Sequence, residues 1–167
     1  MATVAPREET VLAIRNVHVS YGEIEALRGV DFSLRRGEIH ALVGEHRAGK
    51  STLVHVISGA VRRARGEFVL KGLPVGNFSP KLAIKNGIAT VYQDVNIVST
   101  LTAPEFLFTC RMPTRLLGLL NRQYMIREAT ALFDRYGIEL DLTVPLAELP
   151  EDKQLMVELV RAISLNP

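Results

Sequence analysis

Short β-branched apolar runs dominate the first hundred residues of this 167-residue chain. The runs 11–21 and 26–34 are typical of two antiparallel strands, and Arg36 and Gly37 close the second run with a turn. Residues 66–72 predict a further short strand that ends at a glycine. The beginning of the chain is therefore predicted to form an antiparallel β portion.

Two more apolar runs, residues 38–43 and 88–93, predict buried strands of a second sheet. The run 38–43 leads through a loop into residues 51–57, whose composition indicates the start of a helix. This order of strand, loop and helix predicts an α/β core beside the antiparallel portion.

From about residue 101 the apolar positions recur every three or four residues, which is typical of helices. Pro104 suits a first helical position, and a second helix is predicted between a capping Asn121 and a left-handed Gly137. A third helix is predicted to begin near Pro150. The predicted buried positions of the last two helices are Met125, Ala129, Leu132, Phe133 and Tyr136, followed by Leu155, Leu159, Val160 and Ile163.

Charge and cysteine content narrow the possible environments and partners. The net charge of +2 gives no strong attraction to nucleic acid, so we interpret the cluster of Arg62, Arg63 and Arg65 as a solvated loop. Cys110 is the only cysteine in the sequence and cannot form an internal disulfide, which favours a reducing cytoplasm. The chain length and the hydrophobic content of 47% predict one domain with a core of its own.

Residues 44–51 read Gly-Glu-His-Arg-Ala-Gly-Lys-Ser and satisfy the phosphate-loop pattern G-x-x-x-x-G-K-[S/T]. Between a strand and a helix, backbone N–H groups of such a loop point at phosphates, and the helix N-terminus adds partial positive charge. Lys50 would bridge phosphate oxygens, and the Ser51 hydroxyl would bind Mg²⁺. The sequence therefore predicts a nucleotide site.

In this order along the chain, Tyr21, the loop 44–52, residues 91–94 and residues 149–163 resemble the ATP-binding subunit of ABC transporters. Residues 36–45 and 154–163 are most similar to the first nucleotide-binding domain of the tandem ATPases that energise ribose, galactose and xylose importers. The resemblance extends over nearly the whole chain.

The resemblance implies a role for each matching position. Tyr21 would stack on adenine, Ala26 would lie near the ribose, and Gln93 would reach Mg²⁺ and the attacking water. Ser51 and Gln93 would thus be the metal ligands, and the segment after Gln93 would contact membrane permease subunits. The loop residues assigned to ATP are Gly44, Glu45, His46, Arg47, Ala48, Gly49, Lys50, Ser51 and Thr52.

The chain departs from the family pattern at two of its motifs. His46 and Arg47 replace an asparagine and a glycine, and the position of Arg47 favours a left-handed or closely packed backbone, at a cost of about 1 kcal/mol for an arginine. A charged Arg47 could instead add a phosphate contact. The signature Leu-Ser-x-Gly-Gln falls on residues 149–153, Leu-Pro-Glu-Asp-Lys, so two carboxylates stand where a phosphate would dock.

The family continues beyond the position of Pro167 with an apolar strand ending in Asp-Glu and a loop with a histidine. We therefore expect a partial nucleotide-binding domain in an α/β P-loop fold whose C-terminal half is missing, with little hydrolysis by this chain alone. Residues 1–100 would form the β portion and nucleotide-binding core, and residues 101–164 a helical subdomain.

Two hypotheses follow for the function. The first is the MgATP-binding component of an ABC-type sugar importer, cytoplasmic and held at the inner face of the membrane by permease subunits, with a possible second nucleotide-binding domain. The second is a non-catalytic pseudo-ATPase that acts only through protein contacts.

Overall fold

A computed structural model gives the chain as two compact units, Met1–Ile88 and Ala89–Pro167. The sequence analysis predicted one partial domain, with a β portion and core at 1–100 and a helical subdomain at 101–164, and this division stays a prediction. The structure describes residues 9–76, 78–92, 98, 100–109, 112–114 and 118–167.

The first unit contains a four-stranded antiparallel sheet in the order β2-β1-β3-β4. The predicted pairing of the first two strands and the predicted third strand are confirmed. The strands are β1 (Thr10–Tyr21), β2 (Ile24–Arg35), β3 (Arg65–Leu70) and β4 (Leu73–Pro74).

An irregularity in β1 bends this sheet. Asn16 has a φ of 48° between two shifted pairings with β2, and its N–H donates to Asp31 Oδ1 over 2.8 Å. At Gly66, where φ is 100°, a Cβ would lie 2.5 Å from the Asn16 carbonyl oxygen. Only glycine therefore lets β3 begin against this bulge.

Two helices accompany the sheet in the first unit, α1 (Lys50–Ile57) and α2 (Pro80–Lys85). The helix predicted after the loop is confirmed, and Ser79 caps α2 by accepting the Leu82 N–H over 3.3 Å. The alternating positions of β1 supply much of the core. Its buried members are Leu12, Ile14, Val17, Val19, Leu27, Leu53, Val56, Phe68, Leu70, Phe78 and Ala83.

The second unit is helical, with α3 (Ala103–Leu107), α4 (Arg122–Arg135) and α5 (Glu151–Ser164) and a short 3₁₀ turn at Leu146–Glu148. The predicted helix ends hold, because Asn121 Oδ1 accepts the Tyr124 N–H over 3.2 Å and Gly137 has a φ of 64°. Its buried core comprises Ala103, Phe106, Leu107, Phe108, Met125, Ala129, Phe133, Leu146, Leu149, Val157 and Val160.

The predicted buried stripe of α5 is wrong at three of its four positions and correct at Val160. Val157 and Val160 are buried, whereas Leu155 and Leu159 are each 42% exposed and Ile163 is 36% exposed. Helix α5 has apolar residues on two faces, and periodicity alone does not say which of them meets α3 and α4. In α4, Met125, Ala129 and Phe133 are buried as predicted, but Tyr136 is 40% exposed.

The two strands predicted for a second sheet are also absent from the described residues. Residues 38–43 have no regular structure, with Ile39 fully exposed and Val43 88% exposed, and residues 88–92 form no strand. Neither segment pairs with a strand of the described four-stranded sheet, so neither has the ladder of backbone hydrogen bonds that defines a strand. Gln93 and Cys110 lie outside the described residues.

Candidate nucleotide-binding site

The loop formed by residues 44–49 leads directly into α1 in the first unit. A turn closes where the Ala48 N–H donates to the Glu45 carbonyl over 3.2 Å, and the helical ladder starts where the Leu53 N–H donates to the Gly49 carbonyl over 2.9 Å. Gly49 is the N-cap of α1, with φ 86° and ψ 4°. The loop therefore aims the open N-terminus of α1 toward solvent, where its free N–H groups can meet an anion.

Close packing on β2 fixes the end of the loop. A Cβ on Gly49 would lie 2.8 Å from the Ala26 carbonyl oxygen and 2.9 Å from Leu27 Cδ2. Both glycine's positive φ and this contact exclude a side chain at the position. The structure thus places the backbone of Ala26 against the end of the loop, and its role beside the ribose stays a prediction.

Leu27 is a site-forming residue that the sequence analysis did not single out. Its side chain is 3% exposed and supports Gly49 from β2. Its apolar position in an alternating strand was visible in the sequence, but nothing there indicated which segment would pack on it.

The Lys50 side chain folds back over the loop. Its Nζ donates to the Gly44 carbonyl over 2.8 Å and to the Glu45 carbonyl over 2.6 Å. An ammonium carries three N–H donors, and these two carbonyls occupy two of them. The positive charge is therefore held within the loop, close to the N-terminus of α1.

Arg47 adopts the left-handed backbone conformation that its position favours, with a φ of 66°. For a residue with a Cβ this conformation costs about 1–2 kcal/mol. Both His46 and Arg47 are exposed, so neither side chain is needed to fill the interior of the unit. Arg47 therefore holds a strained backbone conformation without contributing to the packed interior.

The structure also locates two further predicted site residues, Ser51 and Tyr21. Ser51 is exposed in the first turn of α1, where its hydroxyl is accessible to a ligand. Tyr21 ends β1 opposite Ile24, and its side chain is 48% exposed, so its ring face is open to solvent. The assignment of Gln93 to Mg²⁺ stays a prediction.

In the second unit, the segment aligned with the family signature forms the start of α5. Pro150 is the N-cap, and the exposed Glu151 and Asp152 stand in the first turn. The Gln154 side-chain amide donates to the Leu149 carbonyl over 2.8 Å. Because the two carboxylates already complement the helix dipole, this helix end is poorly suited to an added phosphate.

The ABC transporter family model matches residues 27–167. That range contains the whole phosphate loop and the three α-helices described in the second unit. The chain belongs to the ABC transporter family. The family recognised from the order of motifs is therefore confirmed.

Relatives within this family carry names of sugar importers. The chain is 40% identical over 158 residues to the ribose import ATP-binding protein RbsA 2 of Rhizobium meliloti, covering 95% of this chain and 31% of that protein. It is 38% identical over 157 residues to the ribose import ATP-binding protein RbsA of Geobacillus kaustophilus, covering 93% and 32%. The chain thus spans about a third of the length of these relatives.

Solved structures confirm the predicted α/β P-loop fold of the ABC ATPase type. A nucleotide-free ATP-binding cassette from an ABC transporter superposes with a TM-score of 0.78 at 23% identity, covering 95% of this chain and 66% of the cassette. A dimeric structure of MJ0796, a bacterial ABC transporter cassette, superposes with a TM-score of 0.75 at 23% identity, covering 93% of this chain and 70% of that cassette.

Among the described helices of the present chain, none has the length and apolar composition needed to cross a bilayer.

Proposed function

We propose that this ABC-family chain binds MgATP as the ATP-binding component of a sugar importer. The observation that carries the ATP part is the Lys50 ammonium, held 2.8 Å and 2.6 Å from two loop carbonyls beside the N-terminus of α1. The sugar part is supported by the names of the ribose import relatives. Permease subunits at the inner face of the membrane, and a possible second nucleotide-binding domain, would be its partners.

The loop fits a bound triphosphate in two respects. Gly49 leaves no Cβ between the loop backbone and Ala26, and the loop concentrates N–H donors and one ammonium around the start of α1. Lys50 would move part of its hydrogen bonding from the two carbonyls to phosphate oxygens. Tyr21 would stack on the base, and Ala26 would lie beside the ribose.

Magnesium would be held through oxygen ligands at the start of α1. Mg²⁺ prefers hard oxygen donors and retains several waters when it bridges phosphates, so the exposed Ser51 hydroxyl is a suitable single ligand. The bound ion would neutralise charge on the phosphates. Gln93 remains our second proposed ligand.

We propose slow turnover of ATP by this chain. A composite site needs the start of α5 to hold the γ-phosphate bound by a partner domain, and here Glu151 and Asp152 stand in that turn. Unit charges about 4 Å apart repel by roughly 1–4 kcal/mol between the dielectric of water and that of a protein surface. The same observation favours the second candidate function, a pseudo-ATPase that acts through protein contacts.

The thermal shift caused by MgATP tests nucleotide binding through the loop. At a 100-fold excess over the dissociation constant, we expect the melting temperature of the unchanged chain to rise by about 5–10 °C. Lys50→Ala removes the ammonium and should abolish most of that shift. Lys81→Ala removes an exposed lysine from α2 in the same unit and should leave the shift unchanged.

The shift, rather than the melting temperature itself, is the quantity to compare, because Lys50→Ala also removes two hydrogen bonds within the loop. If MgATP shifts the melting temperature of the Lys50→Ala variant as much as that of the unchanged chain, binding through the phosphate loop is contradicted. It would leave the pseudo-ATPase as the better account.

A further inference from the structure

The first unit contains a cavity of about 470 Å³ whose lining includes three arginines. We call it the arginine cavity and define it by Arg62, Arg63 and Arg65, with the buried side chains of Val56 and Phe78 on its apolar side. The volume suits a small ligand. The sequence analysis interpreted these arginines as a solvated loop, but the structure gathers them around a concave surface.

The arginine cavity is separate from the phosphate loop. Val56 lies six residues after Lys50 on α1, which places the two about 9 Å apart along the helix axis at 1.5 Å per residue. No residue of the loop 44–52 is among those that line the cavity. A ligand there would therefore occupy a different site from a nucleotide in the loop.

Hydrogen bonds hold the cavity wall in place. Arg63 Nε donates to the Gly66 carbonyl over 3.1 Å, and Arg63 Nη2 donates to the Val75 carbonyl over 2.6 Å. The Ala64 N–H donates to the His18 carbonyl of β1 over 2.8 Å. The guanidinium of Arg63 is thus fixed between the start of β3 and the residue that follows β4, so little conformational entropy remains to be lost when an anion binds it.

The charges around the cavity are unbalanced. The described lining residues include no carboxylate. Glu67 on β3 lies 3.9 Å from Arg15, and Glu25 on β2 accepts a hydrogen bond from His18 over 2.9 Å. The hydrogen bond from His18 is the largest cause of the lowered pKa of Glu25, and the charge of Arg65 contributes less than His18 and Arg28 do. Three guanidinium groups within four residues repel one another, and an anion between them would offset that repulsion.

We propose that the arginine cavity binds a phosphate group. Guanidinium groups pair with phosphate through parallel N–H···O bonds. Two of the five N–H groups of Arg63 donate to the Gly66 and Val75 carbonyls, which fixes the plane of the guanidinium and leaves its other three N–H groups for a phosphate. Arg62 and Arg65 are exposed and supply the remaining charge. The phosphate can belong to a small dissolved anion or to a lipid headgroup, which share this chemistry.

Calorimetric titration with pyrophosphate tests the dissolved form of the ligand. Both chains compared carry Lys50→Ala, so that pyrophosphate binding in the phosphate loop does not contribute. Adding Arg62→Gln and Arg65→Gln should weaken binding about tenfold or more, since each lost charge-assisted bond accounts for a large part of the affinity. Arg63 is left unchanged because its side chain holds the wall together.

A matched control removes the same charge elsewhere in the unit. Lys81→Gln and Lys85→Gln, both on exposed positions of α2, lower the net charge by the same amount outside the cavity and should leave pyrophosphate binding unchanged. If the control pair weakens binding as much as the arginine pair, the attraction comes from net charge and the proposed site is wrong.

Co-sedimentation with phosphatidic acid vesicles tests the lipid form. Binding that the arginine pair of substitutions abolishes and the lysine pair preserves would assign the phosphate to a headgroup. Binding of neither pyrophosphate nor vesicles by the Lys50→Ala chain would overturn the proposal and leave the arginines as ordinary cations near the C-terminal end of α1.

Discussion

Arg47 is a single residue whose backbone conformation in the phosphate loop is strained. The family resemblance implies a glycine at this position and hence a left-handed or closely packed backbone, and Arg47 has a φ of 66°. The conformation was therefore predictable from the resemblance. What could not be predicted is the packing of Gly49 on Ala26 and Leu27, since it depends on which strand lies beneath the loop.

The strain at Arg47 can be measured with two substitutions that both remove the guanidinium. Arg47→Gly also relieves the left-handed conformation, whereas Arg47→Ala does not. Relieving the left-handed strain should stabilise the glycine variant by about 1–2 kcal/mol, and the larger conformational entropy of glycine in the unfolded chain offsets part of this gain. We therefore expect urea unfolding to show Arg47→Gly to be more stable than Arg47→Ala by about 0.5–1 kcal/mol.

Lys81 gives the reference pair for this comparison. In the regular helix α2, Lys81→Ala should be more stable than Lys81→Gly by about 1 kcal/mol, which is the opposite sign. If alanine is also the more stable of the two at position 47, the left-handed strain is not present in the protein.

At the scale of elements, the sequence predicts where helices begin and end better than which face they bury. Asn121 and Gly137 end α4 as predicted, because capping depends on local hydrogen bonds and backbone conformation. The stripe on α5 was wrong because both of its faces carry apolar residues. The strand predicted at 38–43 was wrong for a related reason. A strand forms only when another strand pairs with it, and the sequence of a segment does not show which other segment will do so.

Glu158 on the buried face of α5 should make stability depend on pH. Its side chain is 6% exposed, and its Oε2 makes no hydrogen bond to a described residue. Burial raises the pKa of Glu158 above its ordinary value of 4.5, and the nearby Arg161 opposes this only in part. The folded chain therefore holds this proton more tightly than the unfolded chain does, so stability falls as the pH rises above 4.5 through the raised pKa.

Glu158→Gln removes the buried charge with little change of shape. We expect a higher melting temperature than that of the unchanged chain at pH 7, and a difference that narrows as the pH falls toward 4.5. Glu128→Gln, on the partly exposed side of α4, is the control and should give no such narrowing. A Glu158→Gln effect that is constant over this pH range would show that burial does not raise the pKa of Glu158.

At the scale of the whole molecule, the order of motifs was sufficient to predict the family, because Tyr21, the loop and the final helix occur in the sequence itself. The arrangement into two compact units, Met1–Ile88 and Ala89–Pro167, was not predicted at that boundary. Boundaries of this kind depend on which side chains pack together over long sequence separations, and local pattern carries little of that information.

The altered start of α5 leads to a prediction about association. ABC cassettes can pair, as the dimeric cassette structure shows for its own protein. In this chain Glu151 and Asp152 would face the phosphates of a partner's nucleotide, so we expect MgATP to leave the molar mass measured by light scattering unchanged. Glu151→Gln with Asp152→Asn removes both charges and is the variant in which pairing should increase. A doubled mass of the unchanged chain upon addition of MgATP would contradict this account.

Binding of MgATP is the central claim, and calorimetric titration of the unchanged chain tests it most directly. We predict saturable binding with a dissociation constant in the micromolar range, as expected of a phosphate loop that keeps its glycine cradle and its lysine despite His46 and Arg47. The absence of binding up to millimolar MgATP would contradict the account and show a phosphate-loop fold that has lost its ligand.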